Sequence, residues 1–104
     1  MNEKIRNPMI ELLFKSILTL ENIDECYSFF EDICTIHELQ AMAQRLEVAF
    51  LLEKGKTYIA IGKQTGASTA TISRVNRCLN YGSDGYRLIL DRIKDSIEDT
   101  EGEK

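Results

Sequence analysis

The stretch from Thr57 to Leu79 constrains the fold more than any other part of the chain. It reads TYIAIGKQTGASTATISRVNRCL, in which two short helical patterns flank a turn at Gly66. Glycine adopts the positive φ angle of a tight turn without steric cost. Gly62 can lie where two helices approach too closely for a large side chain, and Ile72 can point from the second helix into the core. The spacing therefore predicts a helix-turn-helix.

The charge of the chain is distributed unevenly, although its formal net value is −4. No aspartate or glutamate occurs from Lys54 to Ser83. The basic residues of this segment are Lys54, Lys56, Lys63, Arg74 and Arg77. The rest of the chain therefore holds eight basic against 17 acidic residues, a formal charge of −9. A basic segment on an acidic protein favours contact with phosphate; the alternative is that acidic residues are missing there by chance.

Length and composition favour a small domain made only of helices. The chain has 104 residues, 43% hydrophobic residues and one proline, and it lacks alternating β-branched runs. These properties are typical of an all-α protein with short connections. The last helix should begin at Ser83 or Asp84 and end near Ile97. We expect residues 1–97 to form a single helical domain and the acidic residues 98–104 to form a disordered tail.

No motif in the sequence indicates an enzyme, a metal site or a membrane protein. His37 is the only histidine, and its segment HELQA lacks the second histidine of the zinc-binding H-E-x-x-H pattern. No apolar run approaches the ~20 residues of a membrane span. The cysteines Cys26, Cys34 and Cys78 form no C-x-x-C pair. We therefore predict no catalytic or metal-binding residues, and small buried thiols in a cytoplasmic protein.

The first predicted helix is apolar around most of its circumference. Asn7 is placed to cap it and Pro8 suits its first position, so it should run to about Leu20. Its apolar residues are Met9, Ile10, Leu12, Leu13, Phe14, Ile17, Leu18 and Leu20. Such a helix has to be buried on several sides, and a small domain has few other helices to surround it. We therefore predict a homodimer; the alternative is a central helix in a monomeric bundle.

The second predicted helix runs from Ile23 to Ile33, and Asn22 is placed to cap it. Its apolar stripe consists of Ile23, Tyr27, Phe30 and Ile33, with Cys26 and Phe29 beside it. Apolar residues at helical spacing predict that this face packs in the core.

The third predicted helix has the clearest start, because Thr35 and Glu38 match the capping-box pattern. The helix should run from Ile36 to about Lys54. Gly55 follows at the position where a left-handed residue commonly ends a helix. We therefore expect this longest helix to act as the scaffold for the basic segment.

Within the helix-turn-helix, the second helix has an apolar and a polar face. Ile72, Val75 and Leu79 recur at helical spacing and should be buried. The opposite face holds Thr69, Ser73 and Arg77, with Ala70 and Arg74 alongside. Short polar side chains allow a helix to enter a DNA major groove, which is about 12 Å wide. Hydroxyl and guanidinium groups on that helix can then bond base edges or phosphates.

The lysines of the basic segment suit contact with the DNA backbone. Lys54, Lys56 and Lys63 lie before or on the first helix, which crosses the sugar–phosphate backbone in helix-turn-helix proteins. We assign them to affinity rather than to sequence reading. The predicted DNA-binding residues are Lys54, Lys56, Lys63, Ser68, Thr69, Ala70, Thr71, Ser73, Arg74 and Arg77. The alternative is a helical hairpin whose basic face is only solvated.

The segment GASTATISR resembles the turn and recognition helix of the Trp repressor family. The likeness extends upstream through QRLEVAFLLEKGK to Thr35, so it covers about residues 35 to 80. As a whole, the chain is especially similar to the Trp repressor-like proteins of the YerC/YecD group. The resemblance implies a six-helix fold, an interlaced homodimer and operator binding in the major groove.

The resemblance also implies an effector pocket. In the Trp repressor, two arginines flank the bound tryptophan, and Arg45 and Arg74 match their positions. Thr35 matches a threonine that lines the pocket. Val75 replaces a glycine, and its branched side chain should fill the indole slot. We therefore predict no cofactor and no tryptophan corepressor.

Three alternatives remain for the effector pocket. It takes another small molecule, or side chains fill it and the protein is always competent to bind DNA, or Arg45 and Arg74 form a structural pair. For Arg45 alone, a further alternative is an ion pair with an acidic residue such as Glu47 or Glu38.

Together these features predict a cytoplasmic, homodimeric, sequence-specific transcriptional regulator, and more specifically a repressor. Its predicted partners are double-stranded DNA and a second copy of the chain, without a membrane. Two alternatives stay open: a protein-interaction or assembly module that docks through the helix-turn-helix, and a true tryptophan-responsive repressor. Burial of Thr69, Ser73 and Arg77 in a dimer would favour the docking module.

Overall fold

Six α-helices make up the described part of the chain. The computed structural model describes the backbone of residues 5–102 and the side chains of residues 5–94. The helices are α1 (Pro8–Ile17), α2 (Ile23–Ile33), α3 (Ile36–Glu53), α4 (Tyr58–Thr65), α5 (Thr69–Tyr81) and α6 (Gly85–Gly102). No strand occurs within residues 5–102. The predicted all-α class with six helices is confirmed.

The chain divides into two compact units, with the boundary between Gln40 and Ala41 inside α3. The N-terminal unit is the part up to Gln40, and the C-terminal unit is the part from Ala41 onward. The prediction of one domain over residues 1–97 stays a prediction.

Asparagine caps start both helices of the N-terminal unit. The Asn7 side chain accepts a hydrogen bond of 2.9 Å from the Ile10 amide, and Asn22 accepts one of 2.9 Å from the Glu25 amide. Both predicted starts are confirmed. Helix α1 ends at Ile17 rather than near Leu20. After Ile17 the backbone hydrogen bonds join residues three apart, as in a 3-10 helix; for example, the Leu20 amide donates to the Ile17 carbonyl.

The apolar side chains of α1 and α2 stay accessible in the single chain. No residue of either helix is buried, and Met9 and Leu18 are 82% and 83% exposed. On α2, Ile23 and Tyr27 are also mostly exposed. The prediction that the α2 stripe is core is therefore wrong for one chain alone, because helices of ten and eleven residues supply too few neighbours to enclose it.

Helix α3 begins with the predicted capping box. The Glu38 amide donates to the Thr35 hydroxyl at 3.1 Å, and the Thr35 amide donates to the Glu38 carboxylate at 2.8 Å. Hydrogen bonding from the Thr35 backbone amide, and from its side chain, stabilises the charged carboxylate and lowers the pKa of Glu38. The helix ends at Glu53, and Gly55 follows with a φ angle of 80° in the left-handed conformation, as predicted.

The core lies in the C-terminal unit. Its buried side chains come from α3 (Val48, Ala49, Leu51), α4 (Ile61), the turn (Ala67), α5 (Ile72, Val75, Leu79) and α6 (Leu90). An ion pair of 2.6 Å between Arg87 and Glu53 also joins α6 to α3. The two helices of the predicted helix-turn-helix are thus packed against α3 and α6 through one apolar cluster.

Helix α6 begins directly after Asp84, one of the two residues predicted to start it. Leu90 is buried and Tyr86 is half-buried, whereas Ile89 and Ile93 are 43% and 37% exposed. The helix is assigned through Gly102, beyond the predicted end near Ile97. The prediction of a disordered tail from residue 98 stays a prediction, and its last two residues lie outside the described part.

Candidate nucleic-acid interface

Helix α4 is capped by Thr57, whose hydroxyl accepts a hydrogen bond of 3.1 Å from the Ala60 amide. Ile61 is completely buried, whereas Ile59 is 74% exposed. Ile59 and Lys63 are four residues apart and therefore share one face of the helix. This face of α4 combines an apolar and a cationic side chain in contact with solvent.

The turn between α4 and α5 has the predicted geometry at Gly66. This glycine has a φ angle of 75°, and its amide donates to the Gly62 carbonyl at 2.9 Å. At Gly62, an added Cβ would lie 3.6 Å from the Ala67 carbonyl oxygen, which is ordinary van der Waals contact. The site therefore has room for a methyl group, and any steric limit concerns larger side chains only.

Side chains hold the backbone of this turn from both ends. The Thr65 hydroxyl donates to the Ile61 carbonyl at 2.8 Å and accepts from the Ala67 amide at 3.0 Å. On α3, the Gln44 side-chain amide donates to the Thr65 carbonyl at 3.1 Å. The end of α4 and the approach to α5 are thereby bonded to each other and to the scaffold helix.

Helix α5 is capped by Ser68, whose hydroxyl accepts a hydrogen bond from the Thr71 amide and donates one to the Thr71 hydroxyl, both at 3.1 Å. Ile72 and Val75 are 1% exposed and Leu79 is 5% exposed, so the predicted apolar face is confirmed as buried. The helix continues to Tyr81, two residues beyond the predicted end.

The opposite side of α5 is open to solvent in the single chain. We call it the outer face; it consists of Thr69, Ala70, Ser73, Arg74 and Arg77, all of which are exposed. Lys54, Lys56 and Lys63 are exposed as well. Of the ten residues predicted to bind DNA, Thr71 is half-buried, and Ser68 and Thr71 use their hydroxyls for the cap. Their role in binding DNA stays a prediction.

The helix-turn-helix lies within a segment that matches a known family over almost the whole chain. The model of the family described as Trp repressor protein matches residues 9–94. The chain belongs to the Trp repressor family. This family consists of regulators, and the predicted resemblance is confirmed.

Relatives of the chain support the same assignment to the Trp repressor family. An uncharacterized protein, YerC of Bacillus subtilis (strain 168), is 57% identical over 94 residues, which is 90% of each chain. A TrpR-like protein of Eubacterium eligens ATCC 27750 superposes with a TM-score of 0.87 at 53% identity, over 89% of this chain and 96% of that one. A candidate Trp repressor of Staphylococcus aureus superposes with a TM-score of 0.85 at 53% identity, over 88% of this chain and 92% of that one.

The residues that match the Trp repressor effector pocket have different environments. Arg45 is half-buried, Arg74 is exposed, and Val75 is part of the buried core. Within residues 5–94, neither guanidinium forms an ion pair, so the alternative of a carboxylate partner for Arg45 finds no support there. Thr35 belongs to the N-terminal unit, and its hydroxyl caps α3.

Three features of this Trp repressor family member were missed or wrongly predicted from sequence. Cys78 is exposed on α5, not buried, because it lies one helical turn after the exposed Arg74. Cys26 and Cys34 are half-buried. Ile59 is exposed although its neighbours form an apolar run. Gln44 was overlooked, because its only signal in the sequence is that a polar residue lies among the packing residues of α3.

The described residues contain neither a membrane-crossing helix nor a grouped set of metal ligands. No helix in this part of the chain has the length and apolar content that a bilayer span requires. No three His, Cys, Asp or Glu side chains within it are close enough together to hold a metal ion.

Proposed function

We propose that this protein is a sequence-specific DNA-binding repressor of transcription that acts in the cytoplasm as an interlaced homodimer. The observation that supports it is the outer face of α5, which is exposed, polar and basic while Ile72 and Val75 on the other side are buried. The helix is therefore fixed by its apolar face and presents short side chains to a partner. Its segment lacks any acidic residue that would repel phosphate.

The outer face has the composition that reading a major groove requires. Thr69 and Ser73 supply hydroxyls and Ala70 supplies a methyl group, and none of them keeps the helix away from the base edges. Arg77 and Arg74 can each place two donors on a guanine or on a phosphate. Lys54, Lys56 and Lys63 contribute electrostatic affinity that falls as salt concentration rises.

The accessible apolar side chains of α1 and α2 support a second copy of the chain as the partner. Patches of this kind are unusual on the surface of a monomer and mark interaction sites. Two copies would present two α5 helices to successive major grooves about 34 Å apart. The operator should accordingly be close to a palindrome.

We further propose that tryptophan is not the corepressor. Val75 is 1% exposed and stands where the family's tryptophan-binding protein has a glycine. A branched side chain at that position leaves less room for a flat indole ring.

Selection of bound sequences from a random duplex pool, with and without tryptophan, tests this function. We expect a near-palindromic site to be enriched equally in both conditions. A palindromic site that is recovered only with tryptophan would contradict the role given to Val75. If neither condition enriches a site, a protein-interaction module that docks through the helix-turn-helix replaces the DNA-binding proposal.

A substitution on the outer face then tests the residues. Arg77→Ala should weaken binding to the selected duplex at least several-fold, since it removes donors to a base or phosphate. Arg92→Ala, at an exposed position of α6, is the matched control for loss of one positive charge. Unchanged affinity of the Arg77→Ala protein, with folding confirmed by circular dichroism, would remove this residue from the interface.

A further inference from the structure

One side chain of α3 is bonded to the turn that directs α5. Gln44 lies 21 positions before Thr65, and its side-chain nitrogen donates to the Thr65 carbonyl oxygen at 3.1 Å in a part-buried environment. A Cβ added at Gly66 would lie 4.0 Å from the same nitrogen. The amide of Gln44 therefore packs against the point where the chain reverses between the two helices.

The hydrogen bond from Gln44 supplies a partner to a carbonyl group at the end of a helix. The last carbonyl groups of a helix lack partners within that helix, and Thr65 is the final residue of α4. Its own hydroxyl already bonds the Ile61 carbonyl and the Ala67 amide. With Gln44 on the Thr65 carbonyl, groups on both sides of Gly66 are bonded, which restricts the direction in which α5 leaves the turn.

We propose that Gln44 is a positioning residue for DNA reading. It holds the turn, and through the turn it keeps the outer face of α5 in one orientation relative to α3. Preorganisation of this kind raises affinity because less conformational freedom is lost on binding. The inference rests on the proposed DNA-binding function and deepens it, because it assigns sequence reading to a residue that lies outside the outer face.

A role in positioning differs measurably from a role in stability alone. If Gln44 only stabilises the fold, its replacement lowers the melting temperature, but the folded protein binds every duplex as before. If it orients α5, the replacement weakens contacts to base edges and leaves the lysine contacts to phosphate intact. The ratio between affinities for the selected duplex and a scrambled duplex of equal length separates the two roles.

The test compares Gln44→Met with Gln40→Met in the full chain. Methionine keeps the length of the side chain and removes the donor, and Gln40 is an exposed glutamine of the same helix. Well below the melting temperature of both proteins, we expect Gln44→Met to lower the ratio of selected to scrambled affinity about tenfold, close to the effect of one lost hydrogen bond. The Gln40→Met protein should keep the wild-type ratio, and added tryptophan should not restore the Gln44→Met ratio.

Amide hydrogen exchange without DNA gives a second measurement. The Gly66 and Ala67 amides should exchange faster in the Gln44→Met protein, while the Val48 amide in the middle of α3 keeps its rate. An unchanged affinity ratio in a folded Gln44→Met protein would overturn the positioning role and leave the proposed function intact. A wild-type protein that enriches no duplex would instead overturn the proposed function, and the DNA-reading role of Gln44 with it.

Discussion

In the C-terminal unit, nine apolar side chains are buried, whereas the described part of the N-terminal unit buries none. Both parts are helical, and large apolar residues are more frequent in the N-terminal part, so composition does not explain the difference. In the C-terminal unit, helices far apart in sequence enclose one another, as Ile61, Ile72 and Leu90 do. The α5 surface is therefore built by contacts within one chain, while the apolar side chains of α1 and α2 stay accessible in the single chain.

The largest change in stability should come from creating a cavity in the core beneath α5. Ile72→Ala removes a side chain that is 1% exposed and should lower the free energy of unfolding by about 2–5 kcal/mol. Ile59→Ala is the matched control, because that residue is 74% exposed on the neighbouring helix and should change stability by less than about 0.5 kcal/mol. Urea unfolding followed by circular dichroism measures both. Equal losses would show that burial in the single chain does not decide stability here.

A carboxylate introduced on the N-terminal unit should weaken the proposed dimer rather than the core of the C-terminal unit. Leu12 is 65% exposed, and Leu12→Glu would place an unpaired carboxylate in the proposed dimer interface. We expect a monomer in sedimentation velocity and about 100-fold weaker binding to a palindromic duplex, because only one half-site is then held by each protein. Asp24→Asn, on the polar side of α2, is the control. A Leu12→Glu protein that sediments like the wild type would place the dimer interface elsewhere.

The smallest effect should be the pH dependence of the capping box, which lies at the start of α3 in the N-terminal unit. The bonds from Thr35 lower the pKa of Glu38, so its contribution to stability is present above the ordinary pKa of a glutamate. That contribution disappears as pH falls through the lowered value. Wild-type protein should therefore have a higher melting temperature than Glu38→Gln near neutral pH, and the difference should close as pH falls below the ordinary pKa of a glutamate. A gap that stays constant over this range would contradict the role of the carboxylate charge.

Local chemistry explains why so much of the fold was predictable. Asn7, Asn22, Thr35 and Thr57 each bond an amide three residues away, so a short sequence pattern contains both partners. The left-handed turn at Gly66 depends equally on residues nearby. For the same reason, the buried face of α5 followed from helical spacing alone.

The features that sequence did not reveal depend on partners far along the chain or outside it. The bond from Gln44 to Thr65 spans 21 positions, and nothing near Gln44 indicates which carbonyl it meets. The exposure of Ile23 and Tyr27 depends on how many neighbours a unit provides, whereas periodicity shows only that a face is apolar. The end of α1 was missed because the chain tightens gradually there instead of stopping at a glycine or proline.

The separation of charge along the sequence also bears on how fast the protein would find DNA in the proposed function. The segment from residue 54 to 83 is positive, and the remainder of the chain has a formal charge of −9. In the proposed function, the field of the polyanion would attract the positive segment and repel the acidic residues. Encounters that bring acidic residues to the duplex first would be less favourable than those that bring the positive segment first. The acidic remainder would thus favour correctly oriented collisions over misdirected ones.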